Sequence, residues 1–400
     1  MFARERKVID AILNYKEIIF FTLISVIALV VRGYLFSFQS YDLKTFLLPW
    51  YNEISNLGGI KALDKQIGNY GITYQFLIAL FTYLPVKPIF MYKALSVLFD
   101  YILALVGASL VSKLCDSRSK PLFLLSYASI LFIPTVIMNS GLWGQCDSIY
   151  CSFILLALLK LIQEKKISPF IFLGIAFAFK FQTIFILPAF ILIYLRNKKF
   201  SILSFGIAFL SFYVCCLPGI VMGRSWESPI VVYVNQVKET RINLNYPNLS
   251  GIINELNNSS IYNYIILKEL LIFFALGVLA IGSYYLFIRF NKWARDQIII
   301  YSLWIVWTSV IFLPSMHERY GYLVDVLLVI VSFKYPLFLF NTIVSVLEGW
   351  CTYILVLFGI RLSMPLLSFV GVINYSIFSV IVFFSLYSKI YNNYIANIKS

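Results

Sequence analysis

The sequence predicts an all-α polytopic membrane protein on three observations: apolar runs of about bilayer length, scarce charge, and basic residues that recur between the runs. Apolar stretches appear from end to end, among them Ile18 to Val31, Ile89 to Val111, Ile265 to Ile288 and Leu366 to Leu386. A helix of roughly 20 apolar residues crosses the hydrocarbon core. Of 400 residues, 61% are hydrophobic and 12% charged, against about 25% charged in soluble domains, so polar groups could not cover a water-exposed fold. Lipid satisfies no backbone hydrogen bond, which leaves helices or closed barrels. Barrel strands would alternate every second residue, and these runs are continuously apolar. The formal net charge of +14 does not point to nucleic acid, because the cations form small separated clusters rather than one patch.

The elements follow in order. The basic Met1 to Lys7 precedes an apolar run that continues to Arg32 without a small-residue cleavage site, so the first helix is expected to stay as an anchor. Basic clusters then fall at Lys113, Arg118 and Lys120; at Lys160, Lys165 and Lys166; at Arg196, Lys198 and Lys199; and at Arg289, Lys292 and Arg295. Together with Arg4, Arg6 and Lys7, and with Lys389 and Lys399, they land on one side when helices are drawn between them. The positive-inside rule makes that side cytoplasmic. The expectation is about twelve transmembrane helices, within a range of 10–13, with both termini inside. The runs Ser168 to Phe179 and Thr183 to Leu195 are short for full crossings. Residues 1–400 read as a single membrane domain, since no repeat or low-complexity segment interrupts them. The site-bearing side is then extracytoplasmic, in a plasma membrane or an endoplasmic reticulum according to the host.

Two long connections, 38–87 and 220–262, fall outside, and loops this long commonly carry function. The first contains an amphipathic stretch, Thr45 to Leu57, whose Trp50, Tyr51, Ile54 and Leu57 suit an interfacial helix. The second carries N-x-S/T sequons at Asn248, Asn257 and Asn258. The six cysteines lack ligand or disulfide spacing and read as small buried hydrophobes.

Four polar groupings interrupt the apolar background, all expected near the outer interface. Ser40-Tyr41-Asp42, followed by Pro49-Trp50-Tyr51, places an acid where it can stay ionised and act as a base; a helix cap is the simpler reading. Asn139 to Asp147 holds two glycines around Trp143, a tight turn that would let Gln145 and Asp147 face a cavity beside an aromatic platform. A plain turn with Trp143 as a belt residue competes with it. Lys180, between Phe179 and Phe181 and ahead of Gln182, either snorkels or meets an anion such as phosphate. His317-Glu318-Arg319-Tyr320 contains the chain's single histidine; His317 and Arg319 offer positive charge to a phosphate, or Glu318 and Arg319 form an ion pair. Among acids inside predicted spans, Asp325 is expected to line a cavity, and Asp100 and Glu348 to pack between helices.

Asp42 with Pro49-Trp50-Tyr51, Trp143 to Asp147, Lys180-Phe181-Gln182 and His317 to Tyr320, in this order and spacing, resemble the GT-C glycosyltransferases. The prokaryotic relatives of the GPI-anchor mannosyltransferases are the nearest pattern. The resemblance runs from about residue 20 to 330; residues 331–400 share hydropathy alone. It implies a GT-C-like bundle with interfacial helices in the first outer loop. It also implies a hexosyltransferase, mannose-like in preference, that uses a polyprenyl-phosphate-linked sugar and a glycan, lipid or protein acceptor, and inverts the anomeric centre. On that reading Asp42 is the base, Lys180, His317 and Arg319 clamp the phosphate, and Trp143, Gln145 and Asp147 meet the sugar, with Gln182, Glu318 and Tyr320 beside them. Asp147 is the fallback base. Lys44 stands where a second acid would complete an Asp-x-Asp pair, so no metal ligand is assigned, and a divalent metal is the one cofactor left open. A transporter or flippase of a lipid-linked sugar is the alternative, and a polysaccharide polymerase or ligase would share the enzyme's architecture.

Overall fold

The computed structural model describes residues 15–256, 261–289, 293–360 and 362–399. In chain order its helices are α1 (Lys16–Leu35), α2 (Leu48–Asn56), α3 (Ile72–Phe81), α4 (Pro88–Leu114), α5 (Lys120–Leu131), α6 (Asp147–Ile162), α7 (Ser168–Phe179) and α8 (Leu187–Asn197). They continue as α9 (Leu203–Val221), α10 (Ser228–Val237), α11 (Leu249–Leu256), α12 (Ile261–Arg289), α13 (Arg295–Phe312), α14 (Tyr322–Ser332), α15 (Leu339–Phe358) and α16 (Met364–Lys399). Among the described residues no strand forms beyond isolated bridges between Leu244, Asn245 and His317.

Six helices among the described residues are long and apolar enough to cross a membrane: Lys16–Leu35, Pro88–Leu114, Leu203–Val221, Ile265–Ile288, Pro336–Phe358 and Met364–Phe384. Lys120–Leu131 and Pro134–Trp143 make a seventh if the 57° bend between them lies within one span. The protein is thus an all-α integral membrane protein, and the sequence's continuous apolar runs explain why. The larger expected count includes α7, α8 and α14, which are apolar but shorter than those spans. Both long connections contain helices, α2 and α3 in the first, α10 and α11 in the second. In α2 the amphipathic pattern is visible, with Ile54 buried while Asn52, Glu53 and Asn56 are exposed.

The chain divides into two compact units. The first comprises residues 1–181 and 203–233. Its centre is α4, which packs against α5 and α6, while α7 lies between α6 and α9. Gly174 permits the α7–α9 approach, because a Cβ there would run into the Ala208 carbonyl. The surface of α1 is mostly exposed, with only Ala28 and Arg32 buried. Arg32 Nε donates to Asp100 Oδ2 at 2.7 Å, its Nη2 to the Leu131 carbonyl at 2.7 Å, and Ser140 Oγ donates to the same Asp100 oxygen at 2.5 Å. Two fully buried charges on different helices therefore fix α1 to α4 and to the end of α5. Asp100 has the helix-packing role expected of it.

Arg224 does comparable work for the first long connection. It donates to the Leu63 carbonyl (2.6 Å), to Gln66 Oε1 (2.7 Å), to Gln75 Oε1 (2.6 Å) and to the Lys65 carbonyl. Its burial lowers the guanidinium to about 10, so it remains charged at neutral pH.

The second unit comprises residues 182–202 and 234–400. Here α13 is buried along nearly its whole length. Its Trp304 indole donates to Ser379 Oγ at 3.2 Å, and Thr308 shares a hydrogen bond with the Tyr375 hydroxyl at 2.7 Å. Asn341 and Asn374 exchange amide hydrogen bonds between α15 and α16, as polar residues do between helices in lipid. Asp325, expected to line a cavity, is buried and accepts from Ser345 Oγ at 2.7 Å, which joins α14 to α15. Asn248, the first of the sequon asparagines, is held inside the fold. It is fully buried, donates to the Val310 and Leu313 carbonyls at 3.0 Å each, and accepts from the Gly251 amide at 3.2 Å. Its sequon caps α11. Asn257 and Asn258 lie outside the described residues, as do Arg4, Arg6 and Lys7. All six cysteines are free, and Cys146, Cys151 and Cys216 are buried.

Candidate functional site

Two turns of the first unit build the site. The first follows α1. Lys93, from α4, donates to the carbonyls of Leu35 (3.1 Å), Phe36 (3.1 Å) and Phe38 (2.6 Å), meeting acceptors that a helix end leaves without intrahelical partners. Ser40 Oγ then accepts from the Leu43 amide at 3.2 Å and starts a π-helical turn, Leu43–Leu47, that leads into α2. Asp42 sits at the start of that turn.

The second turn precedes α6. A π-helical turn, Met138–Trp143, ends at Gly144, whose φ of 72° suits glycine because no Cβ clashes there. Ser96 Oγ, on α4, donates to the Gln145 carbonyl at 2.5 Å. Ser40 Oγ donates to the Trp143 carbonyl at 3.4 Å and joins the two turns. Irregular π turns are enriched at functional sites, and here both candidate motifs carry one.

The side chains converge on Asp42. Its Oδ2 accepts from the Trp143 indole at 3.0 Å and from the Gln145 amide at 3.1 Å. Gln145 is itself oriented by the Tyr70 hydroxyl, which donates to its Oε1 at 2.6 Å. These donors are neutral. Asp42 is half-buried, whereas Trp143 is 1% exposed. Trp143 therefore holds the acid and offers no open face for stacking.

A different aromatic surface is available. Ring contacts run from Tyr41 to Phe46, to Trp50, to Tyr70 and on to Tyr74, at centroid distances of 6.4, 5.8, 5.7 and 4.8 Å. Tyr41 is 72% exposed and Phe46 42%. Apolar faces with polar edges are what a sugar ring packs against.

Asp147 is held differently. Its Oδ1 is paired with the Lys180 ammonium and its Oδ2 accepts from the Asn139 amide at 2.9 Å, with both ions buried. Lys180 caps α7 and lies 5.6 Å from the Tyr150 ring centroid. The lysine read from the sequence as snorkelling or awaiting phosphate has a carboxylate on the neighbouring helix.

His317, Glu318, Arg319 and Tyr320 belong to the second unit, as does buried Gln182. Arg319 Nη1 donates to Glu318 Oε1 at 2.6 Å, and His317 Nδ1 lies 3.5 Å from Glu318 Oε2. Two backbone bonds, Leu244 amide to Met316 carbonyl (3.1 Å) and Glu318 amide to Leu244 carbonyl (3.0 Å), set this turn. Burial pushes the Glu318 carboxyl up, but His317 and Arg319 outweigh it and hold it below the usual carboxylate range. Tyr320 stacks obliquely on His317 at 5.3 Å.

The structure thus brings Asp42, Trp143 and Gln145 together, pairs Asp147 with Lys180, and joins His317, Glu318 and Arg319. The three expected phosphate cations divide between the units, Lys180 in the first and His317 and Arg319 in the second. Tyr70, Lys93, Arg32 and Arg224 were not singled out by the sequence. Arg32 and Lys93 carried a signal, each a charge within or at the end of a membrane-length run. Among the described residues no three His, Cys, Asp or Glu side chains are grouped so as to hold a metal ion. No protein-family model matches the chain, and no curated protein matches its sequence.

Proposed function

We propose that this chain is a membrane glycosyltransferase that moves a hexose, mannose-like in preference, from a polyprenyl-phosphate-linked donor to an extracytoplasmic acceptor. The observation that carries the proposal is the Asp42 carboxylate, half-buried and held by two neutral donors beside an exposed aromatic surface. The indole and amide donors fix its direction while its partial exposure leaves it within reach of an acceptor hydroxyl, as a general base requires. Asp42 takes the proton of the acceptor hydroxyl as that oxygen attacks the anomeric carbon. The bond to the donor phosphate breaks, and the polyprenyl phosphate leaves with the electron pair; in-line attack inverts the centre. Asp147, already paired with Lys180, is the weaker candidate for base. The sugar's stacking surface moves from Trp143 to Tyr41, Phe46 and Trp50.

On this reading there are about twelve crossings, the short helices α7, α8 and α14 among them, while α3 stays in the outer connection. The proposal also keeps cytoplasmic termini and an outward-facing Asp42. A cysteine at position 41 should then react with an impermeant reagent from outside, and one at position 165 only after permeabilisation. The reverse pattern would overturn the sidedness. For the chemistry, purified protein supplied with radiolabelled polyprenyl-phosphate hexoses and a membrane-glycan acceptor fraction should yield labelled product. Absence of transfer across the common hexoses would reject the enzyme.

One observation favours the transporter reading instead. Asp325 and Glu348 are buried on adjacent packed helices of the second unit, and intramembrane acids commonly mark ion pathways. Flux of a lipid-linked sugar in proteoliposomes, lost on neutralising Asp325 and Glu348 and untouched by Asp42→Asn, would replace the enzyme with a transporter.

A further inference from the structure

The first unit holds a cavity that the catalytic proposal does not use. The start of α1, the end of α4 and the start of α5 surround a space of about 800 Å³, within the range of small-molecule sites. Lys113 and Lys120 line it from the two helix ends, and Arg118 from the turn between them. Glu17 and Asp116 are the acids in its wall, so cations exceed anions there. Lys120 approaches Glu17 only loosely, at 3.9 Å, and is 73% exposed. Among the described residues Lys113 and Arg118 form no ion pair.

Ser112, Ser117 and Ser119 add hydroxyls at the same end as the cations, and the opposite wall is mainly apolar. Ile18 and Phe21 of α1 face Phe123 and Leu124 of α5 across it. Ile18 continues into the exposed surface of the membrane-length helix α1, where Ile19 and Leu23 also lie open. A ligand matching both halves carries a phosphate and hydrocarbon chains together. Inorganic phosphate would satisfy the cations but leave the apolar wall without a partner, and a neutral lipid would leave the cations unmatched.

We infer that this cavity binds an anionic membrane phospholipid, with its headgroup phosphate against Lys113 and Arg118 and its acyl chains along Ile18 and Phe21. Cationic side chains at a membrane surface attract anionic lipid, by about fivefold per residue. Packing against α1 adds selectivity for a two-chain molecule over a soluble anion. The site lies on helices that also carry Arg32 and Asp100, so its occupancy would brace the end of the bundle.

The test uses full-length protein in mild detergent with equal amounts of phosphatidylglycerol and phosphatidylcholine, bound lipid being counted by native mass spectrometry. Wild type should retain phosphatidylglycerol preferentially. Lys113→Ala with Arg118→Ala should cut that preference by roughly thirtyfold. Both residues are exposed, so folding should survive, which the thermal unfolding midpoint checks. Lys165→Ala with Lys166→Ala, an exposed basic pair on another loop, should leave the preference unchanged. Equal retention of both lipids, or an unchanged preference in the Lys113 and Arg118 variant, would overturn the inference. So would displacement of the bound lipid by millimolar inorganic phosphate, which would mark a site for soluble anions.

Discussion

Asp42 and Asp147 lie in the same unit, each at a turn beside a membrane helix, yet their surroundings differ in kind. Asp42 is half-buried and accepts from a neutral indole and a neutral amide, whereas Asp147 is fully buried against the Lys180 ammonium. Glu318, in the other unit, resembles Asp147 in being buried and paired with a cation, Arg319, with the His317 ring beside it. The contrast separates two uses of a carboxylate. A buried acid matched by a cation has its charge cancelled and its geometry fixed, so it mainly joins helices. A half-buried acid aimed by an indole and an amide at a partly exposed place is positioned to meet a substrate, which is chemically useful.

If cation-paired acids are structural, breaking one pair should damage folding more than chemistry. The largest such effect is expected at Arg32, which is fully buried with Asp100. Arg32→Met strands a buried carboxylate and should destabilise by about 3–5 kcal/mol. Adding Asp100→Leu should recover most of that loss. Thermal unfolding in detergent reads both variants, and a single variant as stable as wild type would break the comparison.

A middle-sized effect is expected where Asp42 is oriented. Gln145→Ala removes one of its two donors and the link to Tyr70. A hydrogen bond to a charged group is worth about 1.5–3 kcal/mol, so the transfer rate should fall by roughly tenfold to a hundredfold. Because Gln145 positions the base, the loss should appear in kcat more than in KM, and Gln145→Asn should restore part of it. A change in KM alone would return Gln145 to the sugar-binding role expected from the sequence.

The smallest effect concerns an acid near the surface. Glu239 accepts from Arg241, whose side chain is 67% exposed, and this bond above all holds its carboxyl down to about 2. A depressed acid stabilises the fold above its unfolded value, and the contribution is lost as pH falls from about 4.5 through about 2. Screening at exposed Arg241 limits it to less than about 1 kcal/mol. Glu239→Gln should therefore flatten the acid limb of the unfolding curve slightly, without changing stability between pH 6 and 8 by more than about 1 kcal/mol.

The comparison also marks where sequence reading stops. Membrane helices such as Lys16–Leu35 and Pro88–Leu114 are legible because lipid imposes one continuous requirement along the chain. The turn at Gly144 is legible too, since glycine beside a bulky residue announces a tight bend. Pairings are not legible. Lys180 lies 33 positions from Asp147, Arg32 lies 68 from Asp100, and Tyr70 lies 75 from Gln145, so local pattern carries no trace of them. Trp143 shows the cost of a local reading. An aromatic ring between glycines suggested an open platform, but a buried indole N–H needs an acceptor, and Asp42 supplies it.

The central claim is that Asp42 acts chemically while Asp147 holds structure. Its most direct test is transfer from a polyprenyl-phosphate hexose measured alongside thermal unfolding for Asp42→Asn and Asp147→Asn. Asp42→Asn should lose about a hundredfold to ten-thousandfold in rate with its unfolding midpoint kept. Asp147→Asn should unfold at lower temperature, and the protein that remains folded should still transfer sugar. Full activity in Asp42→Asn, or a stable and inactive Asp147→Asn, would contradict the account.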